Sequence, residues 1–156
     1  MAVGLAAGLA LTATLPPLGW WPLGPVAVAG LVVVMAGRGW RGRLVVAVGT
    51  GLGLYLPGMW WATEFHAVGW VVLVGLQTAL MVGPLVAVPG RRSRLAVAAA
   101  VPSVLVVAEA VRARWPFGGL PLSGLDLGQV AGPLLPVARV GGNLLLVAAM
   151  AAAGAA

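Results

Sequence analysis

Three acids (Glu64, Glu109, Asp126), one histidine (His66) and a handful of hydroxyls are all that this 156-residue chain offers for acid, base or nucleophilic chemistry. Cysteine and lysine are both absent, so there is no thiolate nucleophile, no thiolate metal site and no disulfide framework. A single histidine cannot make a multi-histidine metal site, and no metal or cofactor is expected. Ser123, His66 and Asp126 can be written down as a triad. Ser123, however, is not on a G-x-S-x-G elbow, and His66 lies on another loop. Glu64 and His66, two positions apart, would point away from each other on a helix and read as interfacial polar residues at a helix end. No catalytic residue is expected within the chain.

Glu109 and Arg112 are a different case. Three apart on a helix, they share a face and can pair where the segment leaves the membrane. They read either as a plain ion pair that lowers the cost of burying Glu109, or as a site, since an ionisable group near a bilayer boundary is functional by default. Arg114-Trp115-Pro116-Phe117-Gly118-Gly119-Leu120-Pro121 follows. It is too rich in proline and glycine for a membrane helix and reads as an outer-face loop that partly dips into the interface.

The elements that position these residues are membrane segments. A chain that is 62% hydrophobic and 8% charged, with a mean hydropathy of +1.08, has too little polar surface to cover a water-soluble fold. The net charge of +6 does not indicate nucleic acid, because the cations punctuate hydrophobic runs instead of gathering on one solvated face. About six segments are expected. The cleanest are Leu44 to Trp61, Val68 to Val88 and Leu95 to Val111, each near the ~20 residues that span a bilayer. Met1 to Leu15, ended by Pro16-Pro17, and about Pro25 to Ala36 are shorter and flank an aromatic turn at Gly19-Trp20-Trp21-Pro22. The first segment lacks the basic n-region of a signal peptide and turns into another apolar run.

Arg38, Arg41 and Arg43 form one cluster between apolar runs, and Arg91, Arg92 and Arg94 form a second. Short cytoplasmic loops accumulate such residues, so both clusters are expected inside, together with the N-terminus. The 16–22 turn, the loop around Thr63 to Ala67 and the connection from Arg112 to about Leu135 then fall outside. Trp20, Trp21, Trp60, Trp61 and Trp115 gather at that outer boundary. Gly4/Gly8 and Gly49/Gly53 are small-xxx-small pairs suited to close helix contact. Gly49-Thr50-Gly51-Leu52-Gly53 has the composition of a nucleotide-binding loop, but it follows an arginine loop, opens a membrane helix and lacks an acidic ribose partner.

Taken in order, several segments resemble the membrane domain of apolipoprotein N-acyltransferase. Pro102 through Glu109 to Arg112 resembles the family's proline-led helix ending in Glu-x-x-Arg. Phe117 to Pro121, Gly128-Gln129 and Gly132-Pro133-Leu134-Leu135 resemble the turns that follow it. Leu15 to Leu23 looks like the turn between the first two helices, and Arg43 through Gly53 to Trp61 looks like the glycine-rich third helix with its aromatic exit. Two departures stand out: Leu120-Pro121-Leu122 replaces Phe-Pro-Trp, and Leu125-Asp126-Leu127-Gly128-Gln129 replaces the Tyr-Ser-Gln step.

The resemblance implies an all-α, polytopic transmembrane helix bundle over 1–156, multi-pass in a bacterial inner membrane. In that family a nitrilase-like domain on the outer side carries a Glu-Lys-Cys triad. The triad forms a thioester with a phospholipid acyl chain and passes it to the N-terminal diacylglyceryl cysteine of a lipoprotein. Phospholipid and, once such a domain completes the enzyme, lipoprotein are thus the implied partners. Glu109, Arg112, Trp115, Phe117 and Pro121 are the implied lipid-binding residues near the outer headgroups. With neither cysteine nor lysine, the chain is expected to be inactive alone. Asn143 to Ala156 would make only ~21 Å of helix, which predicts a final segment cut short. The alternative is a stand-alone membrane scaffold that binds a membrane protein partner, such as a polyprenyl-phosphate glycosyltransferase, or a small transporter-like bundle. A transporter would want ionisable groups near the midplane, and the helices offer almost none.

Overall fold

Where a helix is apolar on every side, the surrounding solvent is lipid and the faces are sorted by packing instead of polarity. The computed structural model describes residues 1–89 and 93–156, so Arg91 and Arg92 of the second arginine cluster lie outside the described residues. It is all-helical there: α1 (Ala2–Thr14), α2 (Leu23–Met35), α3 (Trp40–Gly58), α4 (Ala67–Val86), α5 (Arg94–Arg112) and α6 (Ala138–Ala155). Short 3-10 turns at Trp60–Glu64, Leu127–Gln129 and Leu135–Val137 join them. The α4, α5 and Leu135–Ala155 segments are long and apolar enough to cross a membrane, while α1 and α2 are shorter apolar helices.

All six expected segments form helices, with two informative differences at their ends. The third helix starts at Trp40, so Arg41 and Arg43 stand in its first turn and not in a loop, and Arg94 is the first residue of α5. Arginine is a good helix former, yet a cation is misplaced at the positive end of a helix unless it finds negative partners. Arg43 finds them on neighbouring segments: its Nε donates to the carbonyl of Val86 at the end of α4 (3.0 Å) and its Nη1 to that of Arg38 (2.9 Å). The last helix starts at Ala138 but breaks at Gly141 and Gly142, the latter with φ 67°, and runs on regularly from Asn143.

The helices close a circuit in the order α1, α3, α4, α5, α6, α2 and back to α1, with α2 also touching α5. Its interior holds Leu11, Val28, Leu31, Met35, Leu54, Met81, Leu85, Val101, Leu105 and Met150, all buried. Val33, Leu95 and Val71 point outward as exposed apolar surface, as lipid-facing positions must.

The tightest seam joins α1 and α3, which run parallel with their glycines in register. A Cβ at Gly53 would stand 2.5 Å from the carbonyl oxygen of Leu5, and one at Gly49 would stand 3.0 Å from the amide nitrogen of Leu5. On the other face of α3, a Cβ at Gly51 would meet the Thr78 side chain of α4 at 2.7 Å. Thr12 stitches the α1–α3 seam by donating to the carbonyls of Gly53 (2.9 Å) and Leu54 (3.0 Å). The glycine run at 49–53 is therefore a two-sided packing surface.

Candidate functional site

Glu109, Gln77 and Tyr55, from three helices, converge on one arginine. Arg112 ends α5 and is 0% exposed, and Glu109, one turn earlier, is 1% exposed. Arg112 Nη1 donates to Glu109 Oε1 at 2.5 Å, its Nε donates to Gln77 Oε1 of α4 at 2.6 Å, and its Nη2 donates to the carbonyl of Leu122. Its guanidinium carbon lies 4.9 Å from the centre of the Tyr55 ring on α3. Charge, hydrogen bonds and a π face thus compensate the loss of water that burial imposes on this cation.

Gln77 completes the arrangement from the opposite side. While its carbonyl oxygen accepts the hydrogen bond from Arg112 Nε, its Nε2 donates to the carbonyl of Leu120 at 2.5 Å. The amide of Leu120 returns a bond to the carbonyl of Arg112 at 2.7 Å. The backbone of 120–122 is therefore held from above and below. Gln77 stands about ten residues, ~15 Å of helix, from the start of α4, so the loop descends well into the bundle and does not merely cover its end. Irregular backbone at that depth is tolerated where protein groups satisfy it, and Arg112 and Gln77 do so.

Around this anchor the loop closes the end of the bundle. Ser123, at φ 51°, donates to the carbonyl of Gly58 at the end of α3 (2.9 Å), and Gln129 Nε2 donates to the carbonyl of Trp21 (3.3 Å). His66 caps α4 by accepting from the Gly69 amide (3.3 Å). Ser123 and His66 are thus committed to different helix ends, and the triad that could be written from the sequence is not assembled.

The five residues singled out from the sequence fall into two groups. Glu109 and Arg112 are brought together inside the bundle, away from solvent and lipid. Trp115, Phe117 and Pro121 are exposed, Phe117 at 95% and with a φ of 56° that a bulky side chain seldom adopts. A cavity of about 350 Å³ lies beside Pro121, Leu122 and Ser123, with Leu15, Gly58 and Trp61 on its other walls. The residues that sequence reasoning did not single out are Gln77 and Tyr55. A glutamine inside an otherwise apolar span was the available signal for Gln77. Among the described residues there is no cluster of three or more metal-ligating side chains.

Six helices in a closed circuit, a polar centre confined to one end and a loop folded into that end define a polytopic helical membrane protein. Residues 7–156 match the family described as apolipoprotein N-acyltransferase N-terminal domain, and the chain belongs to that family.

Proposed function

We propose that these residues form the N-terminal transmembrane domain, 1–156, of an apolipoprotein N-acyltransferase and admit its donor phospholipid. The family match over 7–156 carries this reading. In such an enzyme an acyl chain passes from the phospholipid, through a cysteine thioester, to the amino group of a lipoprotein's N-terminal diacylglyceryl cysteine. The 156 residues contain no cysteine or lysine, so the Glu-Lys-Cys triad has to come from a nitrilase-like domain outside them, and the chain by itself is inactive.

Within this reading Trp115, Phe117 and Pro121 meet the donor lipid. Glu109 and Arg112 act at one remove as positioning residues that hold the 117–122 loop at a fixed depth. Support comes from the exposure of Phe117 in a left-handed backbone conformation directly beside a fully satisfied buried anchor. A large apolar ring held out of the protein is suited to acyl chains. The arginine end faces the cytoplasm of a bacterial inner membrane, and the loop end faces the lipoprotein.

The test uses cells depleted of their own N-acyltransferase, supplied with the chain alone or with the chain plus a nitrilase-like domain bearing Glu, Lys and Cys. Mass spectrometry of a lipoprotein N-terminus reads the outcome. N-acylation is expected only from the pair, and Phe117→Ser should lower it. N-acylation by the chain alone, or none from a pair that is fully inserted, would sink the proposal.

A further inference from the structure

The cavity of about 350 Å³ beside the loop is a cup formed where three parts of the chain meet. Leu15 follows α1, Gly58 ends α3 with Trp61 in the 3-10 turn after it, and Leu122 and Leu127 come from the loop. The volume falls in the range of small-molecule sites, about 300–1,000 Å³. Its walls are fixed by bonds already described. The Leu122 carbonyl accepts from Arg112 Nη2, and Ser123 Oγ donates to the Gly58 carbonyl at 2.9 Å. A Cβ added at Gly58 would stand 3.3 Å from both Leu15 Cδ1 and Ser123 Oγ, so the three parts are in close contact there. No charged side chain among the described residues lines the cup, and the Ser123 hydroxyl is already used. A ligand in it has to bind through apolar contact.

Acyl transfer at the membrane surface calls for such a place. The ester of a phospholipid lies at headgroup level, and a catalytic domain outside the bilayer meets it only if the neighbouring methylenes are drawn out of the hydrocarbon. Each methylene left in water lowers the occupancy of that position roughly fourfold. An apolar cup at the loop end substitutes for the hydrocarbon those methylenes leave. Pro121, one of the residues assigned to the lipid above, lines it.

We infer that, in a domain that admits the donor phospholipid as proposed above, this cup holds the methylenes next to the ester of the transferred acyl chain, between Trp61 and Leu127. The rest of that chain stays in the bilayer.

The full chain in phosphatidylcholine nanodiscs provides the test, doped with phosphatidylcholine that carries a photoactivatable diazirine on one acyl chain. Two probes are compared, one with the diazirine next to the carboxyl end and one with it at the methyl end, and labelled residues are read by peptide mass spectrometry. The carboxyl-end probe should label Leu15, Trp61, Leu122 or Leu127 in excess of the exposed Trp20 at the same end, and the methyl-end probe should not. Leu127→Trp, which fills the cup, should cut that labelling about fifteenfold, the effect of returning roughly two methylenes to water. Val140→Trp, at an exposed position outside the cup, should leave it unchanged. Cup labelling no stronger than that of Trp20, or equal with both probes, would overturn the inference. So would its loss when a nitrilase-like domain is added, because protein and not lipid would then occupy the cup. If Leu127→Trp fails to fold, the two probes on the wild-type chain decide. The expected labelling together with an inactive enzyme pair would count against the N-acyltransferase reading and not against the cup.

Discussion

Removing Arg112 would leave the Glu109 carboxylate buried without a cation and the carbonyl of Leu122 without its donor. Breaking one side of a buried pair typically costs about 3–5 kcal/mol, so Arg112→Met should lower the thermal stability of the chain in nanodiscs by that order. Arg112→Lys should fare little better, because one ammonium cannot present a planar fork to Gln77, Glu109 and Leu122 together. The double variant Arg112→Met/Glu109→Gln should recover part of the loss, since no unpaired charge remains. An Arg112→Met protein within ~1 kcal/mol of wild type would show that the cation is not the anchor described here. At this scale the Glu109–Arg112 pair was legible because the two lie one helical turn apart. Gln77 was not, since it reaches Arg112 across 35 positions of sequence. The Leu120 and Leu122 acceptors are backbone atoms and have no sequence signature. That same fact makes the anchor indifferent to the side chains at 120 and 122, because it grips the main chain.

Helix α3 is squeezed between α1 and α4, and its glycines divide accordingly. A side chain at Gly53 must push α1 away, because the obstacle is the backbone of Leu5 and Leu9 and not a flexible tip. Gly53→Val should therefore cost about 1–3 kcal/mol, the range for overpacking. Gly75→Ala and Gly83→Ala in α4, where an added Cβ meets nothing within 4 Å, should be neutral or stabilising by up to ~1 kcal/mol through helix propensity. Equal effects at 53 and 75, measured by thermal unfolding, would contradict the seam. The helices themselves were legible because hydropathy over ~20 residues reports membrane segments directly. Their partners were not. Small-xxx-small spacing announces a close contact but does not say which helix approaches, and the start of α3 was missed because arginines read as loop until Val86 shows what Arg43 bonds.

For the molecule as a whole, the natural absence of cysteine makes each engineered thiol the only one in the chain. Phe117→Cys should react with a membrane-impermeant maleimide in intact cells, and Trp40→Cys should react only after the membrane is opened. The reverse pattern would invert the assigned orientation. The circuit α1, α3, α4, α5, α6, α2 also has a consequence for how the protein is made. Its tightest seam, between α1 and α3, skips the helix that lies between them in the chain. When residues 1–36 have left the ribosome, α1 and α2 form a hairpin whose glycine face still has no occupant. The wait for residue 58 lasts roughly one to four seconds at ~5–20 residues per second. During that interval the nascent chain carries in lipid an open slot shaped for a helix backbone, which the insertion machinery or another transmembrane helix can fill before α3 arrives.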